Sequence, residues 1–334
     1  MARRAMSRQR RRAAQKPSCL RPQPVARGDR VISIIIPAHN EANVIARCLH
    51  ALTDGATAGE LDIVVVCNGC TDHTADIVRR FGRGVRVIET DVPSKSNALN
   101  LGDRDARGFP RFFVDADVTL PLASVREVAR VLARGKVLAA APRLTFDLAN
   151  RPWTVRAFYG VWSRLPYCRE GMVGSGVYAV SEEGRKRFDQ FPTLTADDAF
   201  VRLQFRPDER ETVDSCAFTV TPPATLGDII KIKSRGHFGN YELARREPTT
   251  FRNEGRTHAV ALPLLMLRPW LWLKLAVYLY VKVFSRLHAY RRYHFGNHQH
   301  WERDETSRQA PASAARAMGE VQLQRTAELN DPAT

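Results

Sequence analysis

Three short runs constrain what this chain can fold into: Val31-Ile32-Ser33-Ile34-Ile35-Ile36, Ile63-Val64-Val65-Val66 and Phe112-Phe113-Val114. None alternates apolar with polar residues. A β-strand with that pattern is covered on both faces, as in a parallel sheet lying between layers of helices. Each run ends at a polar loop: 37–41, 68–72 and 115–117. Between the runs, apolar residues recur at helical spacing, as in Val44, Ile45, Cys48, Leu49 and Leu52, or Val125, Val128, Ala129 and Leu132. Residues 85–88 and 137–141 predict further strands, and 96–101 begins another helix. This alternation predicts an α/β domain: a mostly parallel sheet flanked by helices, with right-handed crossovers. Ligands of such sheets bind outside the carboxyl ends of the strands. Three polar loops on one edge therefore make a candidate site, whereas one alone would be a turn.

The loop after the third run, Asp115-Ala116-Asp117, places two acids at the end of a core strand. Two like charges there are costly unless a cation joins them. Mg²⁺ is typically held by one or two carboxylates plus phosphate oxygens. The competing explanation is a strand-end turn with two solvated aspartates. A second acid pair, Asp197-Asp198, falls at a predicted helix start, where an N-cap role would account for one of them. The glycine-spaced stretch 171–178 lets a backbone approach a ligand, or packs a tight corner. The basic cluster Lys231-Ile232-Lys233-Ser234-Arg235 suits a diphosphate or a solvated face equally. Cys67-Asn68-Gly69-Cys70 has the spacing of a redox or half-zinc site, but no second such pair completes a metal cage. Six cysteines in all, without a dense framework, suit a reducing compartment.

Charge is unevenly spread. The net charge is +16, and residues 1–30, with ten Lys/Arg and one acid, hold +9 of it. That stretch lacks apolar periodicity and predicts a disordered basic arm with no secretory signal. It favours anionic partners, or is a solvated tail. Near the other end, 261–287 is broken by Arg268, Lys274 and Lys282, so no run long enough to span a bilayer exists. Pro269 suits the first turn of a helix. From there Lys274, Tyr278, Lys282 and Arg286 form one narrow stripe on an otherwise apolar helix. Such a helix fits a membrane interface with snorkelling lysines, or docks across the domain with its stripe in water. The predicted organisation is a basic arm (1–30), a catalytic domain (31–250, divided at 142/143), an amphipathic segment (251–295) and a polar tail (296–334).

In this order the loops resemble the family 2 glycosyltransferases, which have the GT-A (Rossmann-like) fold, over about residues 33–239. Ser33-Ile34-Ile35-Ile36-Pro37-Ala38-His39-Asn40-Glu41 is similar to that family's opening strand and nucleotide loop. The resemblance implies base and ribose contacts for Pro37, His39 and Glu41. Asn68 stands where the family has an acid that bonds the base. Lys95-Ser96-Asn97-Ala98-Leu99-Asn100 resembles the family's lysine-bearing helix start, and Asp115-Ala116-Asp117 its DxD element. Asp117 would then ligate a divalent metal, Mg²⁺ or Mn²⁺, and Asp115 would bind the metal or the ribose. Asp197-Asp198 stands at the family's second acid pair, with Asp198 as the base. Of the later Gln-x-x-Arg-Trp motif only Arg235 matches, which argues against a processive polymerase.

The implied activity is inverting transfer of a sugar from a nucleotide-sugar donor to a hydroxyl on a lipid-linked or glycan acceptor. The expected setting is the cytoplasm, at the inner face of the membrane, with no specific nucleic-acid partner. Two rival readings are a sugar nucleotidyltransferase, which would carry a Gly-rich basic loop after the first strand, and a non-catalytic membrane-surface protein, which would leave the four acids unexplained.

Overall fold

A computed structural model describes residues 31–82, 84–165, 171–172, 175–246 and 268–295. The basic arm and the polar tail lie outside the described residues, as do Cys19, Cys168, Val173 and Gly174. The strands are β1 (Ile32–Ala38), β2 (Leu61–Asn68), β3 (Val85–Thr90), β4 (Arg111–Val114), β5 (Val118–Thr119), β6 (Ala139–Phe146), β7 (Val177–Val180) and β8 (Arg210–Val220). The helices are α1 (Ile45–Thr53), α2 (Thr74–Arg79), α3 (Lys95–Asp105), α4 (Leu122–Ala133), α5 (Trp153–Trp162), α6 (Glu182–Arg185), α7 (Asp197–Leu203), α8 (Leu226–Arg246) and α9 (Trp272–Phe295).

All eight strands join one sheet in the order β3-β2-β1-β4-β7-β6-β8-β5. Its first half is parallel, as the unbroken apolar runs predict. Every residue of β1 and of β2 is buried. Ile34 and Ile36 face one core with α1, α2 and α4 behind it, and Ile35 faces the other. Helix α3 lies so close that a Cβ on Gly102 would come within 2.5 Å of Ile35. Ser33, a polar residue in this buried strand, donates to Asp62 and accepts from the Gly108 amide, so its burial leaves no orphan group.

Beyond β4 the sheet is mixed. β7 runs antiparallel to both β4 and β6, and β6 and β8 pair in parallel around a bulge at Pro142/Arg143. The expected strand at 137–141 begins two residues later and continues to Phe146. β5 closes the series antiparallel to the far end of β8, Val118 opposite Val220. This has a geometric consequence. β4 and β5 are four inter-strand steps apart, which in a flat sheet is about 19 Å. Only residues 115–117 connect them, and four Cα–Cα steps reach at most about 15 Å. The sheet must therefore curl, and its β5 edge comes back beside β4 at the Asp115–Asp117 loop.

A third apolar cluster joins α5, α8 and α9 through Phe158, Trp162, Ile229, Leu275, Tyr278 and Val281. No helix among the described residues is long and apolar enough to cross a membrane.

Candidate active site

The curl brings three segments to one place: the 115–117 loop, the start of α3, and the start of α7. Together with α5, α8 and α9 they line a cavity of about 520 Å³. Lys95, Asp115, Asp117, Asp197, Asp198 and Arg235, far apart in sequence, all line it. Pro37, His39, Glu41 and Asn68 lie on the adjoining sheet edge, at the ends of β1 and β2, and do not line this cavity.

Lys95 organises the acids. Ser94 caps α3 by accepting from the Asn97 amide, which fixes where the helix and its first side chain begin. The Lys95 ammonium then lies 2.7 Å from Asp115 Oδ1 and 3.0 Å from Asp197 Oδ1. Burial works against its charge, but Asp115 and Asp197 outweigh that and raise the pKa above the usual lysine range. Asp197 is buried and also receives the Tyr178 hydroxyl at 3.4 Å. Burial, then Asp197 and Asp198, push the Tyr178 phenol well above its ordinary pKa, so it stays a donor.

Asp198 is different. Its Oδ1 accepts the neighbouring Ala199 amide, at 2.7 Å. Burial first, and then the charge of Asp197, raise its carboxyl to about 7. Helix capping does not account for this pair: the N-cap is Ala196, and no side chain caps the helix.

The 115–117 loop is braced from two sides. Arg47 of α1 donates to the Asp117 carbonyl at 2.9 Å, and the Asp115 amide donates to the Gly176 carbonyl at 2.7 Å. Gly176, at φ +100°, lets the start of β7 approach this closely. A Cβ there would stand 3.1 Å from Asp115 Oδ2 and 3.0 Å from Val118. The negative field of the loop is felt by Cys48, whose thiol is pushed up to about 12 by burial and then by Asp117.

Among the described residues, no three His, Cys, Asp or Glu side chains converge as a cage for a metal ion. Asp115 and Asp117 on one cavity wall fit a different kind of site, in which two carboxylates are completed by phosphate oxygens of a bound substrate.

At the neighbouring edge, the Asn68 amide donates to the Ala38 carbonyl at 2.9 Å and ties the ends of β1 and β2 together. His39 Nδ1 lies 2.5 Å from the Asn68 carbonyl oxygen, and the Glu41 amide donates to Thr74 Oγ1 at 2.8 Å. Cys67 and Cys70 are free thiols of this loop. A hydrogen bond between the two side chains holds the Cys67 thiol up and draws Cys70 down to about 6.

The residues that sequence reasoning missed come from the helices. His237 of α8 and Lys282 and Arg286 of α9 line the same cavity. The signal was present as four-residue spacing. The stripe of Lys274, Tyr278, Lys282 and Arg286 reads as the wet side of α9, yet Tyr278 is 4% exposed and stacks on Phe158. Three residues of the stripe, Tyr278, Lys282 and Arg286, thus line the cavity, and the apolar residues of α9 divide between buried Leu275 and Val281 and exposed Leu273, Val283 and Leu287.

Comparison with known proteins follows the same outline. Residues 33–189 match the family model described as Glycosyl transferase family 2. The probable glycosyltransferase YdaM of Bacillus subtilis (strain 168) is 31% identical over 137 residues, covering 36% of this chain and 33% of that protein. The 4,4'-diaponeurosporenoate glycosyltransferase of Staphylococcus aureus (strain USA300) is 28% identical over 171 residues, 50% of this chain and 43% of that protein. The matched segment thus spans less than half the length of either relative. The solved structure of mannosyltransferase PcManGT from Pyrobaculum calidifontis, in complex with GDP-Man and Mn²⁺, has a TM-score of 0.53 at 20% identity. It covers 88% of this chain and 80% of that chain, a likeness of fold. The acid loop, strand β7 and all of strand β1 but Ile32 lie inside residues 33–189, and it is over this part of the chain that the similarity to glycosyltransferase family 2 holds.

Proposed function

We propose that this protein transfers a sugar from a nucleotide-sugar donor to an acceptor hydroxyl by a single inverting displacement at a membrane surface. The observation that carries the reading is the division of labour among the acids of one cavity. Asp197 is neutralised by Lys95, while Asp198 is left with a carboxyl near pH 7. A carboxylate poised there suits a general base that takes a proton from a hydroxyl.

In the resting site Lys95 offsets the charges of Asp115 and Asp197, so that the four acids of the cavity coexist. Asp117, with Asp115 beside it, would hold a divalent ion, Mg²⁺ or Mn²⁺. When bound, such an ion supplies Lewis acidity toward the departing nucleoside diphosphate. Arg235 lines the same cavity and adds positive charge toward the donor's phosphates. Pro37, His39, Glu41 and Asn68, at the ends of β1 and β2, are the proposed contacts for base and ribose. The acceptor oxygen gains one bond to the anomeric carbon as the bond to the diphosphate breaks, and its proton passes to Asp198.

The expected result is concrete. In a thermal-shift panel of nucleotide sugars with Mn²⁺, one donor at about a hundredfold its Kd should add about 2.7 kcal/mol of stability. Asp117→Ala should remove the metal-dependent part of that shift. Asp198→Asn should keep the shift while transfer falls at least a hundredfold. A panel without any stabilising nucleotide sugar would overturn the reading.

A further inference from the structure

The Cys67-Asn68-Gly69-Cys70 run takes no part in the transfer chemistry, yet the fold brings its two thiols together. Cys67, next to last in β2, is the register partner of Ala38 at the end of β1. Gly69, at φ +58°, turns the chain back in a conformation that favours glycine. Cys70 therefore returns over the strand ends, and its thiol donates to the Ala38 carbonyl at 3.4 Å. Both side chains face one apolar cluster: Cys67 is buried in it, and Cys70 packs against it, partly exposed. The two thiols are hydrogen-bonded to each other. Sulfurs in contact across a single turn can join with little backbone movement.

The pair is chemically unequal. The Asn40 amide donates to Cys70 Sγ at 3.4 Å, and the Cys67 thiol donates to it as well. Such donors favour the thiolate, so Cys70 is the sulfur drawn down, to about 6. The other thiols of the described residues go up: Cys67 through its bond to Cys70, and Cys48 and Cys216 through burial, to about 12 and about 11. A partly exposed thiolate beside a second, proton-bearing thiol is the arrangement of a reactive and a resolving cysteine.

The loops after β1 and β2 are stitched together around this pair. Asn40, at φ +52°, gives its amide to Cys70 and accepts the Thr71 amide on Oδ1 at 2.7 Å. The Ala42 amide donates to Asp72 Oδ2 at 3.1 Å. Asn68, a proposed base contact, lies between the two cysteines and shares the Ala38 carbonyl with Cys70. A bond between the sulfurs removes the thiol proton given to Ala38 and closes a ring around Asn68 and Gly69.

We propose that Cys67 and Cys70 form a reversible dithiol–disulfide site, oxidised by hydroperoxides, whose closure weakens nucleotide binding at this edge. The disulfide stands on the two thiols alone, and its effect on the nucleotide rests on the sugar-transfer reading above. The Cys70 thiolate attacks one peroxide oxygen; an S–O bond forms, the O–O bond breaks, and the other oxygen leaves as water. The Cys67 sulfur then attacks the Cys70 sulfur. The S–S bond forms, the S–O bond breaks, and the departing hydroxide takes the Cys67 proton as a second water. The peroxide has gained two electrons and the thiols have lost two. A dithiol reductant returns them with two protons and is itself left as a disulfide.

The test treats the full chain with an equimolar dose of hydrogen peroxide, blocks remaining thiols with iodoacetamide and cleaves after glutamate. The peptide between Glu60 and Glu89 holds Cys67 and Cys70 and no other cysteine. In mass spectrometry it should be lighter by two hydrogens and unblocked, and dithiothreitol should reverse this. Cys67→Ser should instead accumulate a dimedone-reactive sulfenic acid at Cys70, and Cys70→Ser should leave Cys67 reduced. If Cys67→Ser melts early, Cys67→Ala carries the same comparison. By calorimetry, oxidation should weaken binding of UDP or GDP with Mn²⁺ about tenfold, the equivalent of one hydrogen bond. Dithiothreitol should restore it, and the same oxidant should leave the affinity of the Cys67 variant within twofold.

Oxidation of Cys70 with Cys67 left unbonded would overturn the proposal, as would a disulfide from either residue to Cys19 or Cys168. A mapped Cys67–Cys70 bond with undiminished nucleotide affinity would overturn its control of the edge. Failure of the reduced wild type to bind any nucleotide would strike at the transfer reading instead, while the peptide map still judges the disulfide.

Discussion

Asp198 and Asp197 are adjacent in sequence and opposite in condition. Asp197 is buried, paired with Lys95 and hydrogen-bonded by Tyr178. Asp198 has a backbone amide as its donor, and its carboxyl is held up to about 7. The folded state therefore binds a proton that the unfolded chain has released, between the ordinary carboxyl value of 3.8 and about 7. Stability must fall as pH rises through that window. Asp198→Asn removes the effect: its melting temperature should exceed that of the wild type by more at pH 8 than at pH 5, in differential scanning calorimetry. Transfer by the wild type should rise with pH along a limb centred near 7. A stabilisation of D198N that is equal at both pH values would show that the carboxyl is not the strained group. None of this asymmetry is legible in the dipeptide Asp197-Asp198. It depends on Lys95, which lies about a hundred residues away and reaches only one of the two.

At the scale of the element, α9 departs from the usual arrangement of a surface helix. Its inward face holds Leu275, Tyr278, Val281, Ser285 and Ala289. Its outward face holds Trp272 (60% exposed), Leu273 (67%), Val283 (59%) and Leu287 (50%). Large apolar residues exposed along one helix mark an interaction surface, and tryptophan and tyrosine beside basic ends suit the lipid interface. Arg268 lies before the helix, and Arg291 and Arg292 near its end. Leu273→Glu/Leu287→Glu should reduce co-sedimentation with anionic phospholipid vesicles at least tenfold, since each side chain contributes on the order of 1.5–3 kcal/mol when buried. The melting temperature should change little, because both side chains are at least half exposed. Vesicle binding unchanged by this double substitution would refute a lipid-facing role. The unusual width of the apolar surface was evident from the sequence. Its direction was not, because Tyr278 and the cationic stripe read as the wet side until the cavity beneath them is seen.

Across the whole molecule, legibility divides at β4. The parallel half was readable because β1, β2 and β4 carry unbroken apolar runs and β1, β2 and β3 are each followed by a helix. The mixed half was not, because its pairings are set by distant partners. Val118 pairs with Val220, and Arg111 pairs with Val180, and no local pattern encodes either. The same long-range closure places the acids. The sheet curls because residues 115–117 are too short to let β4 and β5 lie apart. Inserting two glycines after Asp117 should therefore weaken Mn²⁺-nucleotide binding at least tenfold by calorimetry, though every acid remains. The core strands β1 to β3 should still show slow amide exchange. Undiminished nucleotide affinity in that insertion variant would mean that the loop's length does not set the geometry.

The three residues between Val114 and Val118 thus serve as a gauge as well as a ligand loop. Their composition can change the chemistry of whatever is bound, but their number fixes the distance between two halves of the protein. A chain under selection could trade an aspartate there for another ligand and keep its shape. It could not add to the loop without loosening the wrap that brings Lys95 to Asp115 and Asp197. Substitution and insertion at this one place should accordingly be tolerated on entirely different terms.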